Sequence, residues 1–110
     1  MNFDLVTPCD NCPFLRRGGV RLRRARIDEI AQPMLAEGAG AIFPCHKTVK
    51  PRRRARDRQM CAGALLFSLN HRVWTQPMQL AERLLGWDAT KMRGHDRVFP
   101  SLAAMRRTAI

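Results

Sequence analysis

The chain has 110 residues and no tyrosine, only five phenylalanines and two tryptophans, and nine acidic residues against twenty basic ones. Few aromatics leave few large side chains to fill a core, and a chain of this length buries only a modest one. The length allows one domain at most. Apolar residues still make up 45% of the chain, near the globular norm, which excludes compositional disorder. No apolar run approaches the roughly 20 residues that a membrane span needs. Met1 to Val6 carries Asp4 and lacks the apolar stretch of a secretory signal. The expectation is therefore a cytoplasmic protein, in a compartment where thiols stay reduced and a disulfide framework does not form. Hydrolytic chemistry is missing too. There is no convincing pair of acids and no Ser/His/Asp set, and Gly18-Gly19 lacks the lysine and hydroxyl residue of a phosphate-binding loop. A zinc-deaminase signature is also absent. No catalytic residue is assigned, and the chain reads as a binding protein before it reads as an enzyme.

The shortage of acids leaves a net charge of +11. A polyanionic partner is the default inference, either DNA or RNA, or else a protein associated with nucleic acid. The bland alternative is solubility, or a high-GC genome that spells basic residues as arginine. The most basic stretch spans about 47–58 and contains Lys47, Lys50, Arg52, Arg53, Arg54, Arg56 and Arg58, with Asp57 as its one acid. Its functional reading is phosphate contact, each cation adding a salt-dependent increment. Its dull reading is a solvated excursion between two ligand-bearing segments.

Cysteine is scarce but placed with pattern. Cys9 and Cys12 form a C-x2-C pair flanked by Pro8 and Pro13, Cys45 is followed by His46, and Cys61 opens Cys61-Ala62-Gly63. There is no fifth cysteine, so one four-thiolate site uses all of them. The flanking prolines disfavour helix and stiffen a turn from which two sulfurs can point inward. Zinc ribbons usually present two close pairs, and only one is present here. A wide iron–sulfur cube accepts a pair plus two scattered cysteines more readily, and Pro13 matches the C-P ending of bacterial ferredoxin runs. A [4Fe–4S] cluster on Cys9, Cys12, Cys45 and Cys61 is the first reading. One Zn2+ on the same thiolates, or with His46 in place of Cys45, is the second, and free or redox thiols are the third. Cys61 alone also reads as a small buried hydrophobe. A thioredoxin-like pair needs a βαβ setting that the flanking prolines and the Arg16-Arg17-Gly18-Gly19 loop do not supply. His46 reads as a hydrogen-bond donor to the site or an alternate ligand. His71 and His95 read as ordinary polar residues, and Asp10 as exposed.

Around these residues the periodicity is mostly helical. Residues 1–8 read as an extended lead-in, and Val20-Arg21-Leu22 alternates like a short strand. A helix is expected over about 24–37 with Ile27, Ile30, Met34 and Leu35 recurring on one face, split by Pro33 and stopped by Gly38-Ala39-Gly40. Asp28-Glu29 reads as an acidic pair in its first turn. Residues 41–43 run extended into Pro44. Residues 61–69 are apolar on more than one face and predict a buried helix with Cys61 at its N-terminus. There the dipole favours a thiolate, and small Ala62 and Gly63 allow close approach. Residues 78–85 predict an amphipathic helix with Leu80, Ala81, Leu84 and Leu85 on one side, ended by Gly86. Residues 87–99 read as irregular. Ser101 is the expected N-cap of a last short helix, with Leu102 and Met105 inward and Arg106 and Arg107 outward. The fold class is α+β, mostly helical with short strands: a small single domain, residues 1–110, wrapped around a four-cysteine metal site.

With these segments in place, the chain resembles an uncharacterised family of small phage and bacterial four-cysteine proteins. The resemblance rests on Cys9-x-x-Cys12-Pro13-Phe14 with Arg16, on Phe43-Pro44-Cys45-His46-Lys47-Thr48, on Cys61-Ala62-Gly63, and on Val98-Phe99-Pro100-Ser101-Leu102 with Met105. It implies that the cysteines and His46 act as one set, and it implies no particular activity. A phage origin, with the protein in the host cytoplasm or as a phage structural component, fits that resemblance.

Overall fold

Every residue from Ala62 to Ser68 is buried, which accounts for a segment that is apolar on more than one face. The computed structural model describes residues 1–36, 40, 42–49, 54 and 57–110. Among these, the α-helices are α1 (Arg24–Ala31), α2 (Ala62–Asn70), α3 (Gln76–Leu85) and α4 (Leu102–Arg106). Short 3-10 turns cover Gln32–Leu35, Ala89–Lys91 and His95–Arg97.

Helix α2 is the axis of the core. Phe67 packs against Phe14 with ring centroids 5.1 Å apart and against the His71 ring at 4.6 Å. Ser68 is buried but satisfied, its hydroxyl donating to the Met34 carbonyl at 2.6 Å. That bond docks the 3-10 turn after α1 onto α2. His71 caps the other end, with Nδ1 2.7 Å from the Phe67 carbonyl and Nε2 accepting the Leu102 N–H at 3.1 Å. It joins the end of α2 to the start of α4. The Ser101 hydroxyl caps α4 as expected, accepting the Ala104 N–H at 3.1 Å.

The split at Pro33 is present. Proline has no N–H for the helical ladder, and α1 gives way to the 3-10 turn there. Ile27, Ile30 and Met34 are buried as the spacing predicts. The glycine stop at Gly38-Ala39-Gly40 falls mostly outside the described residues. Two expectations about charge are corrected. Because α1 begins at Arg24, no acid lies in its first turn. Asp28 instead binds Arg106 at 2.7 Å, and Glu29 pairs with Arg26 at 2.9 Å. Arg106, expected outward, is therefore half-buried against α1.

Helix α3 corrects a third expectation. It starts earlier, with Pro77 in its first turn, and ends at Gly86 with φ +67°. Its buried residues are Met78 and Ala81, whereas Leu80, Leu84 and Leu85 are 49%, 75% and 56% exposed. The leucines line an open groove of about 330 Å³ together with Phe3 and Ile42. Periodicity identifies residues that share a helix face. It does not decide which face meets the core.

Among the described residues, single bridges stand in place of the expected short strands, and Val20-Arg21-Leu22 forms neither strand nor bridge. Leu15 and Val98 pair antiparallel, as do Pro44 and Met60, and Asn2 pairs parallel with Gln59. Pro13, Pro44 and Pro100 stand in or beside these pairings, and a residue without an N–H cannot extend a ladder.

Candidate metal centre

The segment Gln59-Met60-Cys61 brings the two lone cysteines together. The Cys45 N–H donates to the Gln59 carbonyl at 2.7 Å, and the Cys61 N–H donates to the Phe43 carbonyl at 2.8 Å. Met60 donates to the Asn2 carbonyl on the other side at 2.8 Å. Thr48 closes the turn after Cys45. Its hydroxyl donates to the Cys45 carbonyl at 2.9 Å and accepts the Gln59 N–H at 3.1 Å.

The Cys9–Cys12 turn is built separately and anchored at its far end. The Cys12 N–H donates to the Cys9 carbonyl at 3.4 Å, and the Leu15 N–H donates to the Cys12 carbonyl at 3.1 Å. Phe14 and Arg16 then exchange backbone bonds with the tail: Phe99 N–H to Phe14 carbonyl at 3.0 Å, and Arg16 N–H to Arg97 carbonyl at 2.8 Å. Gly19 packs on the turn so closely that a Cβ there would overlap the Cys12 carbonyl. From behind, an aromatic row connects the segments. Phe14 meets Phe67 on one side and Phe43 edge-on at 5.4 Å on the other.

The result places Cys12 Sγ 3.5 Å from Cys61 Sγ in the protein interior. Cys61 is the N-cap of α2, and its sulfur accepts the Ala64 N–H at 3.4 Å. Gly63 is the floor of this pair. A Cβ on it would overlap Cys12 Sγ and sit 3.6 Å from Cys61 Sγ. Cys45 is buried too, while Cys9 is half-buried and turned towards Asn11 Oδ1 at 3.6 Å. The same Asn11 oxygen meets His46 Nε2 at 2.9 Å, so exposed His46 reaches the thiol turn through Asn11. Asp10 is exposed as expected and forms an ion pair with Lys47 across the same rim.

The electrostatics follow from this packing. Cys12 points its thiol at Cys61 and is buried, and both effects hold its pKa well above the ordinary thiol range. Cys61 is held below that range by the Cys12 thiol and by the N–H groups of Ala64 and Gly63, against the opposing effect of burial. Burial raises Cys9, and the nearby Cys45 and Cys61 sulfurs add to the rise. Cys9 thus stands close enough to Cys45 and Cys61 for their charges to be felt. Among the described residues, no three His, Cys, Asp or Glu side chains close around a single ion-sized point. The donor set is four soft thiols with backbone N–H support and a side-chain-free floor at Gly63. It fits a thiolate-bound group in type.

Of the cations predicted to contact nucleic acid, Lys47 is paired with Asp10, Arg54 is exposed and Arg58 is half-buried. Lys50, Arg52, Arg53 and Arg56 lie outside the described residues. A basic cleft that sequence reading missed lies elsewhere. Exposed Arg16, Arg17 and Arg97 line a cleft of about 420 Å³ with Leu15 and Asp96. Arg16 is steadied there by donating to the Asp96 carbonyl at 3.1 Å. Its parts are far apart in sequence and meet through the Leu15–Val98 bridge and the backbone bonds beside it. Asn11 and Thr48 were missed as well, although Thr48 stands inside the Phe43–Thr48 motif.

Fold and site together define a small, mostly helical protein with a buried Cys12–Cys61 thiol pair. The chain belongs to DUF6283, a family of unknown function, which matches residues 5–109 and so takes in all four cysteines and the tail. No curated protein and no solved structure matches the chain. No helix among the described residues is long and apolar enough to cross a membrane.

Proposed function

We propose that the protein binds a [4Fe–4S] cluster through Cys9, Cys12, Cys45 and Cys61, and that its basic surface engages nucleic acid or a protein that handles it. The observation that carries the first part is the meeting of Cys12 Sγ and Cys61 Sγ over the bare floor of Gly63, with the Cys45 segment paired by its backbone to the segment that leads into Cys61. The preference for a wide group over a single zinc ion rests on the sequence pattern of one close pair plus two scattered cysteines. In a closed tetrahedral zinc site every sulfur pair is about 3.8 Å apart, from Zn–S bonds of about 2.3 Å. Here the Cys12–Cys61 pair, at 3.5 Å, stands near that spacing, while Cys9 is turned towards Asn11. When bound, the cluster supplies a redox centre whose potential is set by hydrogen bonds to its sulfurs and by solvent exposure. The chain's part is to hold Cys61 as a thiolate at the α2 N-terminus, to tie Cys45 through Thr48, and to keep Asn11 and His46 at the rim. Anaerobically purified protein should be brown and absorb near about 400 nm, with iron and sulfide present together. Serine at any one of the four positions should remove the colour. Colourless protein carrying one equivalent of zinc would replace the cluster with the zinc reading.

The second part rests on the net charge of +11 and on the Arg16–Arg17–Arg97 cleft. Binding to DNA or RNA should weaken steeply with salt, with a log–log slope of about −3 if three to four phosphates are neutralised. Replacing Arg17 and Arg97 together with alanine should bring that slope about two units nearer zero. Affinity that is flat across a salt titration rules out phosphate recognition.

A further inference from the structure

In a chain whose only close cysteine spacing is Cys9–Cys12, the sulfurs that actually meet are Cys12 and Cys61. We infer that the Cys12–Cys61 pair is an oxidative modification site: in the metal-free chain a peroxide closes it to a disulfide, and that disulfide blocks metal loading. The two sulfurs are 3.5 Å apart, so bond formation at about 2.05 Å needs an approach of only about 1.5 Å. The alternatives are geometrically worse. Cys9 Sγ is turned away towards Asn11 Oδ1, and the Cys45 turn is held by Thr48 on its own carbonyl. Gly63 leaves open the space in which Cys12 Sγ lies.

The chemistry balances with hydrogen peroxide, a molecule close to water in size, as the oxidant. The Cys61 sulfur attacks one peroxide oxygen, the O–O bond breaks, and Cys61 sulfenic acid forms with loss of water. The Cys12 sulfur then attacks the Cys61 sulfur, the S–O bond breaks, and a second water leaves with the Cys12 proton. Two thiols are oxidised by two electrons and one peroxide is reduced to two waters. A dithiol reductant reverses the step by exchange. The disulfide does not depend on which metal the site takes. Its effect on loading rests on the four-thiolate reading, because it removes two of the four donors.

The test uses the full chain, reduced and metal-free, treated with equimolar hydrogen peroxide, alkylated and digested with trypsin. The expected product links the peptide Met1–Arg16 to Gln59–Arg72, with the alkyl group on Cys9 and on Cys45. Cys9→Ser should keep the link and Cys12→Ser should abolish it. A disulfide closed within Met1–Arg16, a link to Cys45, or four alkylated thiols overturns the pairing. Iron or zinc uptake by the oxidised chain should fall below about a tenth of the reduced value and return with dithiothreitol. A correctly mapped disulfide with undiminished uptake overturns the block on loading and, with it, the four-thiolate site. Failure of the disulfide alone leaves that site standing.

Discussion

If the thiols hold the proposed metal group, Gly63→Ala should abolish its binding while lowering stability by about 1–2 kcal/mol, an order-of-magnitude figure for overpacking. Two effects oppose each other. Alanine is a better helix residue than glycine by about 1 kcal/mol, so on propensity alone the change should stabilise α2. The added Cβ, however, overlaps Cys12 Sγ and lies 3.4 Å from the Phe14 Cβ. Cys12 is fully buried and its turn is pinned to the tail through Phe14 and Arg16. The sulfur therefore has no free space to retreat into, and the clash wins. Thiol placement suffers more than the fold, because a ligand pushed aside loses its bond whereas the helix merely shifts. Metal content of anaerobic protein and denaturant midpoints of metal-free protein measure the two effects separately. A variant that keeps its metal and gains stability would show that Gly63 is only a helix residue.

Phe67→Ala should cost about 3–5 kcal/mol, the usual range for emptying a large aromatic site in a packed interior. That is a large share of the roughly 5–15 kcal/mol that holds a small domain together. Phe67 is fully buried and braces Phe14, which braces Phe43 in turn. Phe14 follows the Cys9–Cys12 turn closely, and Phe43 stands two residues before Cys45. The substitution thus weakens the support of all three cysteine-bearing segments, since Cys61 begins the same helix. A thermal midpoint lower by more than about 10 °C is expected in the metal-free protein, together with weaker metal uptake in the folded fraction. A loss below about 1 kcal/mol would mean that the aromatic row does not carry the core.

The elements that were legible in the sequence share a local cause. Pro33 splits its helix because the missing N–H acts within one turn, wherever the rest of the chain lies. Cys61 and Ser101 cap helices because a sulfur or oxygen there reaches an N–H three residues on. Residues 61–69 read as buried because the segment is apolar on more than one face. The errors involve distant partners. Leu80, Leu84 and Leu85 have the period of a core stripe, but Met78 and Ala81 take the inner positions. Arg106 has the look of a solvent residue, yet Asp28 lies opposite it across the α1–α4 contact.

The cysteine site divides in the same way. The sequence by itself determined the supply of thiols, the stiff turn between Pro8 and Pro13, the helix N-terminus at Cys61 and the need for small residues beside it. These depend on backbone chemistry over a few residues. Only the tertiary structure decided which sulfurs meet. The spacing suggests Cys9 with Cys12, but the bridge between Pro44 and Met60 and the packing of Phe14 on α2 set Cys12 against Cys61. The same long-range pairing, Leu15 with Val98, assembles Arg16, Arg17 and Arg97 into one cleft. Such contacts come from burying apolar surface contributed by segments far apart in the chain, and no local pattern encodes which segments will be neighbours.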